Sequence, residues 1–260
     1  MNFGLNGKVA LISGGSRGIG FASAKALGRE GCKIVISARD EKVLAQSVKE
    51  LQSMGIDALG VPGDVLIRSE IETVFSKTIA KFGTVHILVN NAGGGGRWGS
   101  DSIEDTAEEV WIEVFNKNTL AAARFTKLAI PFMRKQKWGR VITITSRLGR
   151  EGGGRPWFNL AKSSETAMMK SLSMTRYLVR DGITFNCVAP GGIMIPGTGW
   201  EKEMNENPEK YAKLMDAEYP LGRQGTPDEV GDVVVFVSSE RASLVNGASI
   251  PVDGGESRAF

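Results

Sequence analysis

KVALISGGSRGIG, residues 8–20, sets a β-branched apolar run directly before a glycine-rich turn, and the segment from Phe21 to Glu30 that follows has helical character. Strand, glycine turn, helix is the order a phosphate site needs. Gly14, Gly18 and Gly20 let backbone approach a pyrophosphate, and the helix start offers free N–H groups and the positive end of the helix dipole. Ser16, Arg17 and Ile19 complete the turn. The spacing, G-x-x-x-G-x-G, departs from the general dinucleotide fingerprint, so the rest of the chain has to decide the reading.

Working outward, short apolar runs recur at KIVIS, DALGVP, HILVN, GRVITIT, ITFNCVAP and ASIPV, each but the last followed by a longer segment. Parallel strands need crossover connections, and near-continuous apolar strands imply a sheet covered on both faces. The alternation therefore predicts one doubly wound α/β domain over residues 1–260 with a seven-stranded parallel sheet. Residues 191–225 carry glycine, proline and charge without a strand signal, and are expected to form a substrate lid containing a helix over Glu201 to Met215.

Composition narrows the function classes. The chain has 260 residues, 42% hydrophobic content, 32 basic and 29 acidic residues. A net charge of +3 gives no polyelectrolyte face for nucleic acid or a membrane surface. No apolar run approaches the ~20 residues of a membrane helix, and Met1 to Lys8 lacks a signal-peptide core. Cys32 and Cys187 sit inside apolar runs and read as buried thiols, so a cytoplasmic location is expected. No metal centre is expected.

Further motifs stand at the strand ends: Asp64-Val65, Asn90-Asn91-Ala92-Gly93, Ser146, Lys162, Pro190-Gly191 and Val252 to Gly255. In this order, with the glycine turn, they resemble the short-chain dehydrogenase/reductase family over nearly the whole chain. The stretch PLGRQGTPDEVG, Pro220 to Gly231, is similar to 3-oxoacyl-carrier-protein reductases and to sugar and polyol dehydrogenases. The resemblance implies a Rossmann-type fold. It also implies that Asp64 and Val65 hold adenine, Asn90, Ala92 and Gly93 the ribose side, and Pro190, Gly191 and Ile193 the nicotinamide. Ile195 stands where the family often has a threonine, with Thr198 nearby.

Cofactor preference follows from the end of the second strand. A carboxylate there accepts from a ribose 2′-hydroxyl, whereas arginine suits a 2′-phosphate. In VISARD that position is Ala38, followed by Arg39, and Arg17 lies in the glycine turn. Two planar guanidiniums match a phosphate, so NADP(H) is favoured over NAD(H). The alternative has Asp40 on the ribose and Arg39 in solvent.

By the same resemblance, Asn118 organises a water relay, Ser146 bonds the substrate oxygen, and Lys162 holds the ribose and lowers the pKa of a catalytic tyrosine. The family's proton-donating tyrosine lies four residues before that lysine, and here the position is Phe158. Tyr177, Tyr211 and Tyr219 are remote in sequence, and the only histidine, His86, reads as structural. Three readings stand: a deliberate Tyr-to-Phe exchange that slows an oxidoreductase, a natural variant with another proton source, or a nucleotide-binding sensor or scaffold without turnover.

Arg97, Trp98, Arg147, Arg150, Arg155 and Trp157 cluster in segments expected to wall the pocket. Guanidiniums beside aromatic rings suit a small anionic or cyclic substrate; the plainer reading is that they are solvated or serve subunit contacts. The family also implies a homotetramer or dimer, paired through residues 118–137 and 157–179.

Overall fold

The structure is a computed structural model that describes residues 2–95, 98–100 and 102–259. Seven strands, β1 (Val9–Ser13), β2 (Lys33–Ala38), β3 (Ala58–Pro62), β4 (Ile87–Asn90), β5 (Gly139–Ile144), β6 (Ile183–Pro190) and β7 (Ser249–Val252), form one sheet. Their order is β3-β2-β1-β4-β5-β6-β7, and every neighbouring pair is parallel. The expected doubly wound sheet is present in full.

The helices are α1 (Gly18–Arg29), α2 (Glu41–Ser53), α3 (Arg68–Phe82), α4 (Glu108–Phe115), α5 (Ala121–Lys135), α6 (Pro156–Ser173), α7 (Arg176–Val179), α8 (Gly199–Glu206), α9 (Pro208–Glu218) and α10 (Pro227–Ser238). Alternation along β1 shows why the sheet is covered twice. Ala10 and Ile12 join Leu27 of α1 and Val234 of α10 in one cluster, while Leu11 joins Phe75 of α3, Phe125 of α5 and Met169 of α6 in the other. Each fully buried Leu or Ile contributes about 1.5–3 kcal/mol, so both faces stabilise the sheet.

Local chemistry sets the boundaries. Asp40 caps α2, its Oδ1 accepting from the N–H groups of Lys42 and Val43 at 3.1 Å. Thr226 and Glu229 form a reciprocal capping box at α10, with Pro227 in the first turn. The lid differs from expectation: in place of one helix over 201–215 it holds α8 and α9, separated at Asn207. The residue before a proline is pushed out of the α region, and Asn207, at φ −135° and ψ 59°, precedes Pro208.

Two sequence readings concern the frame. His86 Nδ1 accepts from Val9 N at 3.0 Å and its ring meets Trp138 edge-on, which ties the start of the sheet together. Burial, then Lys8, pushes its pKa down to about 4, so the ring is neutral and structural. Cys32 and Cys187 are buried free thiols, both pushed up to about 12 chiefly by burial.

Candidate functional site

The chain passes from β3 back across the sheet to β4, so neighbouring β1 and β4 send their connections to opposite faces. A crevice opens at such a switch point, on the carboxyl ends of the strands. A cleft of about 1020 Å3 lies there, lined by residues of the glycine turn, the end of β2, the β4 end, α6 and the lid.

Gly14 adopts φ +65°, a left-handed conformation, and a Cβ on Gly20 would strike the Asn91 amide and the Gly14 carbonyl. Glycine is therefore required at both positions for the turn to close. No side chain caps α1, so its first N–H groups stay open to an anion. Ser16, Arg17, Gly18 and Ile19 all line the cleft.

The two asparagines at the end of β4, Asn90 and Asn91, divide their work by direction. Asn91 donates to the carbonyls of Ser13 and Gly14 at 3.1 and 2.9 Å, while Ser13 Oγ accepts from the N–H groups of Asn91 and Ala92. That pins the glycine turn to the β4 loop. Asn90, expected on the ribose side, turns the other way and is 3% exposed; its amide donates to Thr126 and Thr143. Adjacent residues of an extended chain point to opposite faces, so the Asn90 side chain does not reach the cleft. Ala92 and Gly93 do line the cleft.

At the β2 end, Ala38, Arg39 and Asp40 border the cleft, as does Val65. Arg39 Nη1 lies 3.5 Å from Asp64 Oδ2, and Asp64 Oδ1 accepts from Leu66 N, so Asp64 faces Arg39 and its own turn. Asp40 is committed to capping α2. Lys117, which sequence reasoning missed, also lines the cleft. Its Nζ lies 4.1 Å over the Trp98 ring, and its pKa is lowered by burial and then by Arg39.

The expected catalytic residues come from three elements. Asn118 sits in a π-helical turn, Asn116–Leu120, between α4 and α5. Its amide donates to Val114 O at 2.7 Å and Gly94 O at 2.9 Å, and its oxygen accepts from Gly94 N. The side chain thus replaces a helical hydrogen bond and holds the β4 loop. Lys162 and Phe158 both line the cleft, with Nζ 5.8 Å from the ring centroid. A Cβ on Gly93 would come 3.3 Å from Lys162 Nζ and would also strike Asn118 Oδ1, so these groups converge on Gly93. Ser146 follows β5, and its Oγ accepts from Leu148 N at 3.2 Å. It still has its own proton to donate.

Other expected contacts fall elsewhere. Gly191 N is bonded to Val252 O and Gly192 N to Glu256 Oε2, Pro190 ends β6, and Ile193 packs into the core with a bridge to Gly225. Ile195 and Thr198 are the lid residues that reach the cleft, with the Thr198 hydroxyl donating to Ile195 O at 2.6 Å. Arg147 bonds Glu256 at 2.7 Å and Glu151 at 2.8 Å, and Glu151 in turn accepts from the N–H groups of Arg258 and Ala259. Arg155 holds the carbonyls of Trp98 and Gly99. Trp157 is 1% exposed, against Trp111 and Val114. Arg150 is half-buried beside the Arg147 turn, and Arg97 lies outside the described residues.

Among the described residues, no helix is long and apolar enough to cross a membrane. Residues 14–257 match the family described as "Enoyl-(Acyl carrier protein) reductase". The chain is 34% identical to a 3-oxoacyl-[acyl-carrier-protein] reductase of Escherichia coli over 256 residues, covering 98% of each chain. It is 33% identical to the L-fucose dehydrogenase of Rattus norvegicus over 253 residues, 96% of this chain and 89% of that one. L-sorbose reductase from Gluconobacter frateurii, solved with NADPH and L-sorbose, superposes with a TM-score of 0.91 at 31% identity, covering 100% of both chains. These likenesses span the sheet, the glycine turn and the cleft together, and the chain belongs to the short-chain dehydrogenase/reductase family of oxidoreductases.

Proposed function

We propose that the chain is an NADP(H)-dependent oxidoreductase that interconverts a carbonyl and an alcohol on a small, preferably cyclic, molecule. The observation that carries the cofactor preference is the β2 end: Ala38 offers no carboxylate, Asp40 is spent on the α2 cap, and Arg39 and Arg17 border the cleft. A cleft of this size with an uncapped α1 start fits a dinucleotide. The solved L-sorbose reductase complex, which holds NADPH, is a precedent in a similar fold.

When bound, the nicotinamide supplies or accepts the hydride. Arg17 and Arg39 would take the 2′-phosphate, the α1 N–H groups the pyrophosphate, Val65 the adenine and Lys162 a ribose hydroxyl. Asp64 would act by holding Arg39. Ser146 would donate to the carbonyl oxygen, and Asn118 would keep the β4 loop in place. With Phe158 at the position of the family's tyrosine, no phenol donates the proton, and turnover is slower by about 10²–10⁴ than with a positioned acid. Because Arg147 and Arg155 are engaged inside the protein, a cyclic or sugar-like substrate is favoured over an anionic one. The exposed Leu160 and Ile112 border a groove of about 650 Å3 between α4 and α6, which supports a homo-oligomer paired through these helices. Two free thiols support a cytoplasmic location.

Fluorescence titration with NADPH and NADH tests the cofactor reading. NADPH should bind at least about tenfold more tightly, and equal affinities would refute the preference.

A further inference from the structure

Lys162 has a partner that the cleft hides. Its Nζ donates to Ile144 O at 3.0 Å and to Glu165 Oε2 at 2.9 Å, and Glu165 is 1% exposed. An ammonium carries three N–H donors, and these two bonds point into the protein. One donor is left for the cleft, which Lys162 borders beside Phe158. Neither charge is easily buried alone, so the pair enters the core as a unit.

The pair also alters what Lys162 does to its neighbours. At an effective dielectric constant of about 20, a lone ammonium some 5 Å away would shift a neighbouring hydroxyl by about two pH units. A carboxylate about 3 Å farther off cancels about two-thirds of that field. Of the other titratable and charged groups, Cys187 on β6 faces both members of the pair and stays un-ionised, and Lys117, Arg17 and Arg39 share the cleft that Lys162 borders. Burial pushes the Glu165 carboxyl up, with Lys162 opposing.

We propose that Glu165 is a positioning residue for Lys162, fixing the direction of its remaining N–H and cancelling most of its charge. Phe158 and Glu165 are then two halves of one arrangement, in which the lysine holds a ligand by a hydrogen bond and does not activate a hydroxyl beside it. This rests on the oxidoreductase reading, in which position 158 is where such a hydroxyl would stand.

The test places a phenol at 158 as a reporter. Phe158→Tyr and Phe158→Tyr/Glu165→Gln are titrated by tyrosinate absorbance without nucleotide, and the titration of the unaltered chain is subtracted. With Glu165 present, the added hydroxyl should ionise near its ordinary value of about 10; with glutamine there, about one unit lower or more. Phe158→Tyr/Glu165→Asp should return toward the first value. The same value in both backgrounds overturns the proposal, as does ionisation about two units low in Phe158→Tyr alone, a result that decides even if the double variant does not fold. NADPH binding to the unaltered chain is measured separately: its failure would overturn the nucleotide reading, whereas the titration bears on the pair alone.

Discussion

Replacing Arg39 by aspartate separates the cofactor reading from the stability of the fold. The Arg39 side chain is 60% exposed, and its contact with Asp64 is 3.5 Å long. An exposed pair of that kind contributes about 0–1 kcal/mol, so the melting temperature should hardly move. A charge-assisted bond from the same guanidinium to a 2′-phosphate would contribute about 1.5–3 kcal/mol. At about 1.4 kcal/mol per decade, its loss weakens NADPH binding by roughly tenfold to a hundredfold, and repulsion from the new carboxylate adds to this. NADH lacks the phosphate, so its affinity should hold or rise. Fluorescence titration of both nucleotides at two salt concentrations checks the reasoning, because the NADPH advantage of the unaltered chain should shrink as salt screens an exposed contact. NADPH binding unchanged in the variant would place Arg39 outside the site.

Asn118→Ala should lower stability by about 2–4 kcal/mol in denaturant unfolding, since it strands the Val114 and Gly94 carbonyls and the Gly94 N–H; a change within error would mean that water replaces the amide. His86 gives a pH dependence whose sign follows from its depressed folded pKa: below the unfolded value of about 6.5 the unfolded chain binds the extra proton. Stability is thus fully present above that value and is lost as pH falls through about 4, by roughly 1–2 kcal/mol after screening of a half-buried ring. His86→Gln should flatten that part of the stability curve, and an unchanged slope would exclude His86 as its source. Leu160→Glu puts a charge on the exposed groove between α4 and α6, and sedimentation should then show a smaller species than the unaltered chain. An unaltered oligomer, or a monomer in both, would remove the pairing through these helices.

The strands were legible because their apolar character is local: VALIS and ITFNCVAP announce themselves, and strand ends locate the cleft. The glycine turn could be read for the same reason. What escaped depends on direction or distance. NNAG names two neighbouring asparagines, but only the folded chain shows that Asn91 reaches the glycine turn while Asn90 turns to Thr126 and Thr143. Arg147 belongs to a wall of the site by position, yet its carboxylate partner Glu256 is 109 residues away. Glu165 stood in view three residues after Lys162; nothing in the pattern says that this carboxylate is buried against the lysine. The break at Asn207 could have been found from the proline that follows it.

The tie between Glu256, Arg147 and Gly192 has a consequence for the order of assembly. Arg147 and Gly192 follow β5 and β6, whereas Glu256 and the N–H groups of Arg258 and Ala259 come after the last strand. On a growing chain, the glycine turn and β4 are made early, whereas the carboxylate that anchors Gly192 follows it by 64 residues. The nucleotide side can therefore form while the wall next to β6 still lacks its final partner. Domains acquire long-range contacts last, and here those contacts join the turns that follow β5 and β6. A nascent chain is thus kept from tying the turn after β5 to the turn after β6 until the segment that follows β7 has docked.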